Sequence, residues 1–226
     1  MSQTYASVPT SLSTYTWALP RRRASSTYET VKRILDVVVA LAALAILGPV
    51  LGVAALLIKL TDGGPVLFRQ RRVGKGGEEF DCYKLRSMVT NADALKAKLA
   101  AQSHHADPRT FKMRRDPRVT WIGRILRKTS LDEMPQLFNV LKGDMTLVGP
   151  RPALPGEVAQ YTAEERRRLA VTPGITCLWQ VSGRGDLPFD RQVALDIEYI
   201  QRRDLWLDLK LMALTIPAVV SGRGAY

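Results

Sequence analysis

Arg127-Lys-Thr-Ser-Leu-Asp-Glu-Met-Pro-Gln-Leu-Phe-Asn-Val-Leu-Lys-Gly-Asp-Met-Thr-Leu-Val-Gly-Pro-Arg151 is the stretch on which this sequence turns. Two adjacent carboxylates, Asp132 and Glu133, stand among the cations Arg124, Arg127, Lys128, Lys142 and Arg151. Ser130 is a suitable N-cap, and Glu133 follows three residues later, as in a capping box. Pro135 is tolerated only near a helix start. The pattern predicts a helix from about Leu131 to Leu141, stopped by Gly143. Both acids then fall in its first turn, where free N–H groups and the macrodipole favour anions. A capped helix with a solvated basic rim would explain this much. The sequence that follows asks for more. Val148-Gly-Pro-Arg-Pro152 brackets Arg151 with two prolines of fixed φ, which would hold a guanidinium in place as a phosphate clamp requires.

Composition limits the partners. The 226 residues carry 33 Lys plus Arg against 21 Asp plus Glu, a formal charge of +12. Such a surplus suits an anionic partner: nucleic acid, anionic lipid or a phosphorylated substrate. No stretch interleaves aromatic and basic residues as single-strand binders do. The cations gather beside an apolar segment, so a membrane surface is favoured and nucleic acid is not. Cys82 and Cys177 are far apart, and His104-His105 has no cysteine at zinc-ligand spacing, which argues against zinc. A reduced cytosolic setting is the simpler reading of two cysteines.

Upstream, residues 1–27 are rich in Ser, Thr, Pro and Arg and read as a mobile basic tail. Residues 28–60 hold the most apolar segment: the 22 residues from Val37 to Ile58 carry no charge. That length crosses a bilayer as a straight helix. Gly48-Pro49 in its middle argues for a break. Basic residues flank both ends: Arg21, Arg22, Arg23, Lys32 and Arg33 before, Lys59, Arg69, Arg71, Arg72 and Lys75 after. By the positive-inside rule both ends would face the cytoplasm. A helix that enters and leaves one leaflet satisfies both facts, and a kinked spanning helix is the alternative.

Residues 61–226 read as one domain, the one that carries Asp132 and Glu133. Asp62-Gly-Gly-Pro65 is a turn, and Val66–Val73 and Glu79–Leu85 read as the strands of a hairpin. On the second strand Lys84 and Arg86 alternate with Tyr83, Leu85 and Ser87, so both cations project to one face. A short helix is expected over Asn91–Ala101, then turns at Asp107-Pro108 and Asp116-Pro117. Arg118–Lys128 should be a helix with Trp121, Ile122, Ile125 and Leu126 on one face. Two short helical pieces follow, Gly156–Tyr161 and Ala163–Ala170, with a capping box at Thr162-x-x-Glu165. Val171–Gly185 reads as an ordered loop. Phe189–Arg203 and Trp206–Val220 read as helices, the last apolar enough to lie in the headgroup plane.

These motifs together resemble the bacterial sugar transferases, small monotopic phosphoglycosyl transferases that make polyprenyl-diphosphate-linked sugars. The matching text is Arg127-x-x-Ser-Leu-Asp-Glu-x-Pro-Gln136, Lys142-Gly-Asp-Met145 and Gly149-Pro-Arg-Pro152. Gly64-Pro-Val-Leu-Phe-x-Gln-x-Arg-Val-Gly74 and Phe80-x-x-Tyr-Lys-Leu-Arg-Ser-Met88 extend it, and the likeness covers roughly residues 28–226. Departures are small: Gly48-Pro49 stands where many relatives have Ser-Pro, Thr172 replaces a basic residue, and Cys177 replaces glycine. The short chain and its Ser-Gly-Arg-Gly-Ala-Tyr226 ending look most like exopolysaccharide-initiating galactose-1-phosphate transferases.

The resemblance implies an α+β fold: a re-entrant membrane helix broken at Gly48-Pro49, then a small, mostly helical cytosolic domain with a β-hairpin and interfacial amphipathic helices. It implies a UDP-sugar donor, an undecaprenyl phosphate acceptor and Mg2+, at the bacterial inner membrane with the catalytic domain facing the cytoplasm. Hard Mg2+ prefers carboxylate and phosphate oxygens, so Asp132 and Glu133 are its candidate ligands. Asp132 would be the nucleophile, Glu133 its assistant, and Arg127 and Arg151 would neutralise the transferring phosphoryl group. Lys84, Arg86 and Gln136 are candidates for the diphosphate or nucleotide. Galactose or glucose is the expected sugar, and a homodimer is compatible with the family. One competing reading is a basic membrane-surface adaptor without chemistry, which leaves Asp132-Glu133 and the Gly-Pro-Arg-Pro segment unexplained; another is the same reaction with an N-acetylated sugar, for O-antigen or protein glycosylation.

Overall fold

A computed structural model describes residues 25–92, 94–95, 116–183 and 187–221. The predicted tail through residue 24, most of the Asn91–Ala101 helix, the Asp107-Pro108 turn and His104-His105 lie outside the described residues. The elements in order are α1 (Ser26–Asp62), β1 (Leu67–Val73), β2 (Glu79–Leu85), α2 (Trp121–Lys128) and α3 (Gln136–Lys142). There follow β3 (Thr146–Val148), α4 (Pro155–Val158), α5 (Ala163–Arg166), β4 (Gly174–Thr176), α6 (Leu178–Ser182), α7 (Phe189–Arg202) and α8 (Leu205–Ser221). The architecture mixes helix and sheet, as the α+β expectation has it.

α1 begins where Ser25 accepts a hydrogen bond from the Tyr28 N–H and ends at Gly63 in the left-handed region. It is a single helix with Pro49 inside it, so the expected break at Gly48-Pro49 does not divide it in two. Proline removes one backbone bond and the flanking ladder continues. The burial along α1 is uneven. Tyr28, Lys32, Asp36 and Ala40 are buried at four-residue spacing, then nothing until Ala54 and Ile58. Between them most apolar side chains face outward, Ile46 at 74% exposure among them, while Ala43, Leu44 and Leu51 pack partly against the core. The two ends dock on one domain. Ala40 joins Phe80, Leu137, Val140 and Tyr199 in the main core. Ala54 and Ile58 join Leu85, Ile122 and Leu126 in a second cluster. The helix is long and apolar enough to cross a membrane, and its exposed middle suits lipid rather than water.

The basic flanks of α1 do other work than the sequence suggested. Lys32 donates to Asp208 at 2.8 Å, inside the protein. Arg33 donates to the Val140 and Leu141 carbonyls at 2.5 and 2.8 Å. Those are the last carbonyls of α3, which a C-terminal cation favours. Lys59 caps the end of its own helix through the Gly63 carbonyl. These three cations, counted in the sequence as basic flanks of the apolar segment, are held by protein acceptors. Asp36, also buried, accepts from Thr146 Oγ1 at 2.5 Å and the Leu147 N–H at 3.0 Å.

The hairpin is as predicted: β1 and β2 are antiparallel, with Arg69 opposite Tyr83 and Val73 opposite Glu79. The other sheet was not legible. β3 and β4 pair in parallel, Thr146 with Gly174 and Val148 with Thr176. The segment expected as a loop over Val171–Gly185 therefore contains β4 and α6, with residues 184–185 outside the described set. Three-residue buried strands show no periodicity, and parallel pairing needs a long crossover that local sequence does not announce. Glycines permit this pairing: a Cβ on Gly174 would lie 2.1 Å from the Gly149 nitrogen. The face predicted for α2 is split: Ile122 and Leu126 are buried, while Trp121 and Ile125 stay exposed. The Thr162–Glu165 capping box forms as expected. α8 buries Asp208 and Leu211 and leaves Trp206, Leu209 and Ile216 exposed.

Candidate functional site

The two acids lie on a 3-10 turn, Leu131–Glu133, ahead of α3 rather than within its first turn. Ser130 adopts φ 56° and its side chain makes no cap bond. The predicted capping box is therefore absent, and α3 starts after Pro135. Its predicted stop at Gly143, φ 96°, is present. The Glu133 carboxylate does not turn back to Ser130 because two cations capture it. Lys84 Nζ reaches Glu133 Oε1 at 2.7 Å, and Arg151 Nη2 reaches the same oxygen at 2.9 Å. Two charge-assisted bonds outweigh one bond to a backbone N–H.

Asp132 is treated differently. It is buried at 8% exposure. Among the described residues, no donor hydrogen-bonds its carboxylate and no cation pairs with it within 4 Å. Burial first, and then the adjacent Glu133 charge, push its pKa up to about 6, with Lys84, Arg127 and Arg151 pulling the other way. For Glu133, burial also acts upward, but Arg151 and Lys84 outweigh it and hold the group well below the usual carboxylate range. Two neighbouring acids are thus pushed apart: one a fixed anion, the other a carboxylate with an elevated pKa and unengaged oxygens. Such a divergence separates roles within an active site.

Arg127 leaves the last turn of α2 and donates through Nε to Ser87 Oγ at 3.0 Å. Burial pushes its pKa down, and Asp132 is the leading charge that opposes the shift. Sequence reasoning did not single out Ser87 as its holder. Ser87 and α2 approach closely: a Cβ on Gly123 would lie 1.9 Å from the Ser87 carbonyl oxygen. Arg151 is held by Glu133, which raises its pKa further above the arginine range. The Pro150–Pro152 loop is fixed by more than its prolines. The Val73 N–H donates to the Ala153 carbonyl at 2.9 Å, and Arg72 Nη1 donates to the Pro152 carbonyl at 2.9 Å.

The structure thus brings together Asp132, Glu133, Lys84, Arg151 and Arg127. Gln136 is buried in the first turn of α3, three residues beyond Glu133. Arg86 does not meet the dyad. Its guanidinium pairs with Asp62 at the end of α1, against Gly64. It lies one residue past β2, where the last residue of α1 presents a carboxylate. Both cysteines are free buried thiols.

The donor set fits a hard divalent cation in part. Among the described residues no group of three His, Cys, Asp or Glu could form a cage. Asp132 offers unengaged oxygens, and both cations on Glu133 meet Oε1, leaving Oε2. One or two carboxylates completed by substrate phosphates is the usual arrangement for Mg2+. Asp132 and Glu133 are the residues that would hold it.

The match to known proteins follows this geometry. The family model described as bacterial sugar transferase matches residues 27–222. This chain belongs to the bacterial sugar transferase family. The chain is similar to galactosyl transferase CpsE of Streptococcus agalactiae, 45% identical over 197 residues, covering 86% of this chain and 43% of that protein. It is 44% identical over 199 residues to an undecaprenyl-phosphate galactose phosphotransferase of Salmonella typhimurium, covering 86% and 41%. It is 42% identical over 200 residues to the exopolysaccharide production protein ExoY of Sinorhizobium fredii, covering 86% and 88%. The chain spans about two fifths of the length of the first two relatives and most of the third.

Proposed function

We propose that this bacterial sugar transferase moves a sugar-1-phosphate, galactose or glucose, from a UDP-sugar to undecaprenyl phosphate. The products are undecaprenyl-diphosphate-sugar and UMP, and the step opens exopolysaccharide synthesis. One observation carries the reading: a buried, unclamped Asp132 stands beside a Glu133 fixed by two cations. The names of the relatives, which include undecaprenyl phosphate and galactose, support the substrate class.

In the first half-reaction an Asp132 oxygen attacks the sugar-bearing phosphorus. The bond from that phosphorus to the bridging oxygen breaks, UMP leaves with the electron pair, and an acyl-phosphate holds the sugar phosphate. In the second, an oxygen of undecaprenyl phosphate attacks the same phosphorus and the Asp132 carboxylate is released. Arg127 and Arg151 would neutralise the charge that builds on the phosphoryl oxygens. Glu133, itself fixed by Lys84, holds Arg151 in line. Mg2+, when bound by Asp132 and Glu133, would neutralise the diphosphate.

The two docked ends of α1 support a re-entrant path. A helix that crosses a hydrocarbon core of about 30 Å separates its ends, whereas here both ends join the same domain. The outward-facing middle of this continuous helix, which contains Gly48-Pro49, would enter the cytoplasmic leaflet of the inner membrane and return. The site would then lie at the surface where a lipid-borne acceptor presents its phosphate.

Two measurements test this. Full-length protein in nanodiscs, with Mg2+ and undecaprenyl phosphate, is offered a panel of UDP-sugars and UMP release is followed. Turnover with UDP-galactose or UDP-glucose is expected; silence across the panel from a folded preparation removes the transferase reading and favours a lipid-binding adaptor. The second is the pH profile. Asp132 must be ionised to attack, and its pKa is raised to about 6. As pH falls through about 6 the protonated fraction grows, so kcat/KM should drop tenfold per pH unit below that point. A profile flat down to pH 5 would show that Asp132 does not titrate as argued.

A further inference from the structure

Arg72, at the end of β1, is a cation that the chemistry above leaves unused. Its partners are neutral. Nη1 donates to the Pro152 carbonyl at 2.9 Å, and Nε and Nη2 donate to Gln70 Oε1 at 3.2 and 2.6 Å. Among the described residues no carboxylate stands within ion-pair distance of it. Burial, then the neighbouring Arg151 charge, push its pKa down. Glu157, then Glu133, oppose that shift from a distance, but neither pairs with the guanidinium, and Glu133 is already held by Lys84 and Arg151. A guanidinium among neutral acceptors, beside a second guanidinium, is short of negative charge.

The same contacts set the amide of Gln70. With Oε1 committed to Arg72, the Nε2 end points away from Arg72 and carries two donors. Among the described residues nothing accepts from it. Strand register gives its surroundings. Gln70 is opposite Cys82 and Phe68 is opposite Lys84. Residues two apart share a strand face, so Phe68, Gln70 and Arg72 lie with Cys82 and Lys84. From this face Lys84 reaches Glu133, and Arg72 reaches the carbonyl that follows Arg151. Gln70 therefore stands between the two cationic arms of the site.

We propose that Gln70 contacts the substrate, its Nε2 donating to a non-bridging diphosphate oxygen of the nucleotide sugar, with Arg72 as the positioning residue that presets the amide. This rests on the transferase reading above. A phosphate oxygen is the acceptor that matches the charge: a neutral amide donor gains most against an anion, and the unanswered charge of Arg72 calls for one.

The competing role is purely structural, Gln70 serving only to occupy Arg72. Gln70→Glu separates them. The new carboxylate still accepts from Arg72 and gives it an ionic partner, but it replaces the NH2 donor with an anionic oxygen facing the diphosphate. In nanodiscs with Mg2+ and undecaprenyl phosphate, the expected result is an unchanged or higher Tm with a KM for the UDP-sugar raised about tenfold or more. The KM for undecaprenyl phosphate should stay the same. Gln70→Met, which removes the donor without adding charge, should raise the same KM to a smaller extent and decides the matter if the glutamate variant fails to fold. An unchanged KM for the UDP-sugar in a folded variant overturns the proposal. If the wild type itself releases no UMP, the enzymatic reading has failed, and the contact is tested by UDP alone. UDP with Mg2+ that raises the Tm of wild type and not of Gln70→Glu supports the contact; an equal rise in both overturns it.

Discussion

Asp132→Asn is expected to cut UMP release by ~10^4-fold or more, since the attacking oxygen is lost and no neighbouring acid replaces it. Glu133 is one residue away, but Lys84 and Arg151 fix it at 2.7 and 2.9 Å. The same substitution should not weaken the fold. The raised pKa of Asp132 means that its charged form is disfavoured in the folded protein. At pH 7 the neutral amide removes that burden, so the Tm of Asp132→Asn should equal or exceed that of wild type. Loss of activity with gain of stability is the signature of a residue strained for function. Mass spectrometry of wild type quenched with UDP-sugar and no acceptor should show the sugar-phosphate adduct, and the variant should not. An Asp132→Asn protein that still turns over at near wild-type rate would remove the covalent route and leave the overall transfer standing.

Asp208→Ala should bring the largest loss of stability. Asp208 is buried on α8 and accepts from Tyr28 at 2.9 Å, Lys32 at 2.8 Å and Tyr199 at 2.7 Å. It thereby ties the start of α1 to α7 and α8. Truncation leaves a buried ammonium without a counter-charge and two hydroxyls without an acceptor. Breaking one side of a buried pair costs about 3–5 kcal/mol. Urea unfolding in detergent should register that loss, and limited proteolysis should cut α1 near its docked end first. Adding Lys32→Met to Asp208→Ala removes the stranded charge and should recover part of the loss. A loss under about 1 kcal/mol for Asp208→Ala would show that the network adds little.

How much of this was legible depended on the range of each signal. The hairpin, the stop at Gly143, the Thr162 capping box and the apolar run in α1 are written in neighbouring residues, and each appears where the sequence placed it. The capping box at Ser130 was equally local and did not form, because Glu133 had better partners 49 and 18 residues away. Lys32 and Arg33 read as membrane flanks and proved to be internal ties, because Asp208 and the α3 carbonyls lie more than 100 residues away. Arg86 followed the strand alternation on paper but met Asp62.

The sequence alone therefore determined the chemical inventory: an acid pair among cations, a rigid Arg151 loop, a hairpin and an apolar helix. These rest on residue type, period and turn chemistry, which neighbours carry by themselves. The tertiary structure decided how the inventory divides. It set Lys84 and Arg151 on Glu133 and left Asp132 unclamped, gave Arg72 only neutral partners, and folded both ends of α1 onto one domain. Electrostatic roles depend on distances of a few ångströms between residues far apart in the chain, and only the fold fixes those distances.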